Sequence, residues 1–83
     1  MKVEIVSTDS ILWSGESSSV VVPAADGDLG ILPGRQPLLA VLRAGDVKVA
    51  TADGSERVFP VVAGFVSVDQ DVVEIVVDNT AGH

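Results

Sequence analysis

The chain contains no cysteine, which excludes disulfides, thiol nucleophiles and thiolate metal sites. Basic residues are scarce. Lys2, Arg35, Arg43, Lys48 and Arg57 are the five present against twelve carboxylates, giving a net charge of −7. They stand singly along the chain, so no patch exists to neutralise phosphates, and nucleic acid is not an expected partner. The same deficit argues against attraction to anionic lipid. Histidine occurs once, as His83, and the aromatics are Trp13, Phe59 and Phe65 alone. No apolar run approaches the roughly 20 residues that span a bilayer. The opening Met1-Lys2-Val3-Glu4 lacks the apolar stretch of a signal peptide. The expectation is therefore a cytoplasmic location without direct membrane insertion. Phosphate-cradling glycine motifs are missing, and no motif places a histidine or lysine base beside a serine or threonine. The acidic pairs Asp26/Asp28 and Asp69/Asp71 sit at turns and read as solvated turn formers. No catalytic residue, metal site, cofactor or small-molecule ligand is expected.

What the sequence does have is valine: seventeen in 83 residues, within an apolar fraction of 47%. A branched Cβ packs well on a pleated surface and loses freedom in a helix. Turn signals recur between the valine runs, at Ser14-Gly15, Asp26-Gly27, Pro33-Gly34, Gly45-Asp46, Asp53-Gly54 and Gln70-Asp71. Short strands at such spacing predict an antiparallel sandwich or barrel. "KVEIV" points Val3 and Ile5 to one face, and "DVKVAT" points Val47 and Val49 inward. "SSSVVVP" reads as a strand ending at Pro23. Asp53-Gly54 predicts a tight hairpin. Pro60 places "ERVFPVV" at a sheet edge or on a bulge, and Gly64 marks a bend or bulge. "QPLLAVLRA" fits a short helix or a strand equally well. One domain is expected over residues 1–78, with a mobile tail over 79–83. Trp13 either fills the core or anchors a contact.

The segment "GDLGILPGRQPLLAVLRAG", residues 27–45, is different in kind. Gly30 allows close approach or positive φ, Pro33-Gly34 makes a sharp reversal, and Pro37 stiffens the exit. Such a loop is either a rigid recognition element presenting Arg35 or a crossover with Arg35 solvated.

This segment resembles the signature of the epsilon subunit of F-type ATP synthases (delta in mitochondria). The matching residues are Asp28, Leu29, Gly30, Ile31, Pro33, Gly34, Pro37, Leu38, Leu39 and Gly45. "VEIVSTDSILWSGE" and "VVAGFVSVDQDVVEIVVD" are similar to the family's opening and closing stretches. The resemblance implies an all-β fold, an antiparallel flattened β-sandwich of about ten short strands. It also implies a non-catalytic central-stalk subunit that links gamma to the c-ring and couples proton flow to ATP synthesis. Such a subunit is peripheral, on the cytoplasmic side of the plasma membrane. Carried over by position, Asp28, Gly30 and Arg35 face the c-ring, and Ser7 and Ala40 lie near gamma. Two departures stand out. Arg35 occupies a place where the family usually has histidine, which exchanges a titratable ring for a permanent charge. The C-terminal pair of helices common in the family is not present in this sequence. The alternative is a free-standing β-sandwich binding module for sugar or peptide, with Trp13 as its platform.

Overall fold

Alternation along the valine-rich segments sorts side chains onto two faces of each strand, and the buried face is almost wholly aliphatic. The computed structural model describes residues 1–34 and 36–78. Eight strands appear among them: β1 (Lys2–Val6), β2 (Ile11–Ala24), β3 (Gly27–Ile31), β4 (Leu38–Leu42), β5 (Gly45–Thr51), β6 (Glu56–Val61), β7 (Ala63–Asp69) and β8 (Val72–Asp78). The all-β expectation holds, with eight strands rather than about ten. The expected tail over 79–83 lies outside the described residues.

The pairing order is β1-β8-β7-β4-β2-β5-β6, with β3 on β2 and a further pairing of β1 with β2. Pairings β2–β1–β8–β7–β4–β2 thus form a ring, and the sheet folds back on itself around one core. Dimensions of 36 × 26 × 19 Å give a flattened body. All pairs are antiparallel except β1–β8, which is parallel.

Val3 and Ile5 of β1, Val20 and Val22 of β2, Ile31 of β3, Val47 and Val49 of β5, Val66 of β7, and Val73 and Ile75 of β8 are fully buried. The inward assignments of Val3, Ile5, Val47 and Val49 are therefore confirmed. β6 is a terminal strand, which accommodates Pro60 opposite Asp46. "QPLLAVLRA" resolves as strand, because Leu38–Leu42 pairs along its whole length with Gly64–Val68.

One expectation needs correction, and another holds in part. Ser14-Gly15 is not a turn; it lies inside β2, paired with Glu4 and Val3. The indole of Trp13 covers Gly15, so that a Cβ there would come within 3.0 Å of it. Of the bend or bulge expected at Gly64 there is no bulge, since its pairings with Leu42 and Val77 stay in register, but the chain bends at Val62 and Gly64 has φ 150°. It is also a close backbone approach: a Cβ at Gly64 would fall on the Val76 carbonyl oxygen and 2.9 Å from Val77 Cα.

The bulges lie elsewhere, between Ile5 and Val6 and between Ser17 and Ser19. Ser17 is the one buried polar residue among those described. Its hydroxyl lies 2.7 Å from both the Ser19 and Ala50 carbonyl oxygens and accepts from the Ser19 amide at 3.2 Å. The side chain thereby replaces ladder bonds that the bulge interrupts.

Candidate functional site

The residues of the 27–45 segment separate into an outward face, a corner and a groove. Along β3, Leu29 and Ile31 turn toward the core, while Asp28 and Gly30 are exposed. Gly30 does neither of the things expected of it within the chain. It has no positive φ, and a Cβ there would meet nothing within 4 Å. A glycine in a strand interior costs roughly 0.5–1 kcal/mol relative to alanine, and no contact of Gly30 with the described residues explains it.

After β3 the chain turns at Pro33 and Gly34, both exposed. Gly34 has φ 84°, the left-handed region that favours glycine. Its amide donates to Asp71 Oδ1 at 2.7 Å. Asp71 is thus not simply a solvated turn former. Arg35, singled out in the sequence, lies outside the described residues.

β4 joins β2 at one register position, Ala24 with Leu42, flanked by hydrogen bonds from the Ala25 amide to the Val41 carbonyl and from the Arg43 amide to the Pro23 carbonyl, while β3 pairs with β2 and not with β4 among the described residues. A shallow groove of about 390 Å³ opens there, with Asp26 and Asp28 among its carboxylates and Leu29, Leu38 and Ala40 among its apolar lining. Arg43 sits beside it. Its Nε donates to the Ala24 carbonyl at 3.0 Å, and its Nη2 lies 3.4 Å from Asp28 Oδ1. Ala40 is half-buried and packs against the core. The outward residues of β4 are its neighbours Leu39 and Val41, 73% and 65% exposed. Ser7 follows β1, half-buried, with its amide donating to the Ser10 carbonyl at 2.9 Å.

A surface that the sequence reading did not single out emerges from the register. Val41 pairs Phe65, Phe65 pairs Val76, and Val76 pairs Val6. These four side chains form one continuous apolar row across the outer face of β4, β7, β8 and β1, and Ile11 pairs Val6 at its end. Phe65 is 41% and Ile11 63% exposed. Alternation alone could have turned Phe65 outward, since Val66 and Val68 face in. The row itself depends on long-range pairing. Trp13, by contrast, is half-buried against the core opposite Ile5, which favours its core reading over a ligand platform.

The chemistry of the surface is sparse. Among the described residues no group of three or more His, Cys, Asp or Glu could hold a metal ion. Asp53, at the β5–β6 turn, is a shifted acid. Hydrogen bonds from the Thr51 hydroxyl and then the Ser55 amide hold its carboxyl below the ordinary aspartate value. This is a turn-stabilising arrangement outside the 27–45 segment, at the far end of β5.

A sheet closed on itself around one aliphatic core is a β-sandwich domain. Residues 1–82 match the family described as "ATP synthase, Delta/Epsilon chain, beta-sandwich domain", and the chain belongs to that family. It is 47% identical over 75 residues to the ATP synthase epsilon chain of Micrococcus luteus, covering 90% of this chain and 82% of that one. It is 38% identical over 78 residues to the epsilon chain of Streptomyces griseus, covering 94% of this chain and 63% of the relative. The chain thus spans less than two thirds of the Streptomyces protein. Its fold is similar to a chain in the Euglena gracilis mitochondrial ATP synthase OSCP/F1/c-ring structure, with a TM-score of 0.83 and 21% identity. That likeness covers 90% of this chain and 48% of the other. A chain of the Tetrahymena thermophila central stalk/c-ring structure is also similar, with a TM-score of 0.75 at 21% identity, covering 93% and 62%.

Proposed function

We propose that this chain is a non-catalytic rotor subunit of the proton-translocating F-type ATP synthase, joining gamma to the c-ring on the cytoplasmic side of the plasma membrane. Family membership motivates the reading. The observation that carries it is the presence of two distinct exposed surfaces on one closed sheet. One is the outward side of β3 with the adjoining Pro33-Gly34 corner, where Asp28 and Gly30 are assigned to the ring, as Arg35 is by its position in the sequence. The other is the apolar row Val41, Phe65, Val76 and Val6, assigned to gamma. Ser7 directly follows the end of that row, and Ala40 sits between its outward neighbours Leu39 and Val41. A rotor coupling must transmit torque without yielding, and a close-packed aliphatic core deforms little.

Gel filtration with purified gamma tests the proposal. The chain is expected to co-elute with gamma, and Phe65→Ser is expected to abolish co-elution while the free domain stays folded, at an unfolding midpoint lowered by the lost cross-strand contacts with Val41 and Val76. Separate elution of the unaltered chain would sink the rotor reading. Equal binding by Phe65→Ser would move the gamma surface elsewhere.

A further inference from the structure

We propose that Asp71 is a positioning residue that holds the Pro33-Gly34 corner in its presenting geometry, an inference that rests on the rotor reading for its purpose but not for its geometry. Residues 32–34, 36 and 37 lie between β3 and β4 and belong to no strand. Among the described residues of this stretch, the Gly34 amide makes the hydrogen bond that ties it to another part of the chain, at 2.7 Å and 37 positions away. Pro33 already limits the freedom of the corner, and the bond at Gly34 gives it a point of attachment to the β7–β8 turn.

The acceptor stands on a firm base. Asp71 is the second residue of a two-residue hairpin between β7 and β8, flanked by the Asp69–Val72 pair. Its carbonyl accepts from the Lys2 amide at 2.9 Å, which ties the turn to β1 as well. Gln70 and Asp71 have φ 50° and 61°, the conformation of a type I′ turn, in which glycine at the second position is the most favourable choice. Asp71 gives up that preference and supplies a carboxylate aimed at the corner. A charged acceptor makes a shorter and stronger bond than a neutral one.

The turn preference makes the test clean. Asp71→Gly suits the turn and removes the carboxylate, whereas Asp71→Asn keeps an acceptor and tolerates the same backbone. Amide hydrogen exchange of the whole chain, read by NMR at Gly34, is expected to speed up roughly tenfold in Asp71→Gly without a fall in thermal midpoint. Asp71→Asn is expected to keep most of the protection. Binding to a purified gamma–c-ring rotor is expected to weaken about tenfold in Asp71→Gly and to recover in Asp71→Asn. Unchanged Gly34 exchange in Asp71→Gly overturns the inference. So does unchanged rotor affinity in a variant whose corner has been freed. If the unaltered chain fails to bind the rotor, the rotor reading falls, and Gly34 exchange still decides whether Asp71 holds the corner.

Discussion

Arg43 and Asp28 face each other at 3.4 Å beside the groove between β3 and β4, and the same guanidinium also binds the Ala24 carbonyl. Asp28, assigned to the ring, therefore already has a partner within its own chain. Both side chains are more than half exposed, and such pairs contribute about 0–1 kcal/mol. Asp28→Asn is expected to change the urea-unfolding free energy by less than about 1 kcal/mol and to reduce retention on an immobilised c-ring. Undiminished retention would leave Asp28 as an ordinary surface ion pair.

Gly30 separates the same two roles from the opposite direction. Its site is open and its φ ordinary, so Gly30→Ala is expected to stabilise the free domain by about 0.5–1 kcal/mol. The added methyl would meet a closely apposed neighbour only in the assembled rotor. Higher thermal stability together with weaker ring binding is the expected pair of results; equal ring binding would argue that nothing approaches Gly30 closely.

Ser17 tests the bulge in β2. Removing its hydroxyl leaves the Ser19 amide and the Ala50 carbonyl without that partner in a buried place. Ser17→Ala is expected to cost about 1–3 kcal/mol, visible as a lower urea midpoint at constant slope. A cost below 0.5 kcal/mol would mean that water or relaxed backbone satisfies these groups.

Asp53 gives a pH signature. Its folded-state pKa lies below the ordinary value of 3.8, so its contribution is fully present above that value and is lost as pH falls through the lowered one. Stability curves of the unaltered chain and Asp53→Asn are expected to differ at neutral pH and to converge in acid below 3.8. Parallel curves across that range would mean the turn draws nothing from the ionised carboxylate.

Much of this architecture was legible in the residues. Strict alternation identified the core positions of β1 and β5, and Pro60 limited its strand to an edge or a bulge, because each is a local consequence of side-chain direction or a missing amide. The length of β2 was not legible. Ser14-Gly15 read as a turn and "SSSVVVP" as a separate strand, yet Ser14, Glu16 and Ser18 merely occupy the exposed alternate positions of one long strand. The helix-or-strand ambiguity of residues 36–44 could be settled only by β7, a partner far away in sequence. The site shows the same division. The glycine-proline corner stands out in composition, whereas the Asp71 carboxylate that binds it and the row from Val41 to Val6 exist only once strands are in register.

The parallel union of β1 with β8 has a consequence for biosynthesis. As the polypeptide leaves the ribosome, β1 can form a hairpin with β2, but the strand on its other flank is the last of the eight to emerge. Until residue 76, the partner of Val6, is available, one side of that hairpin has open hydrogen-bonding groups. Closure is thus a late event that joins distant stretches of polypeptide, and topologies of this kind fold slowly. Chaperone contact with the nascent protein should concentrate on β1 and end when β8 docks.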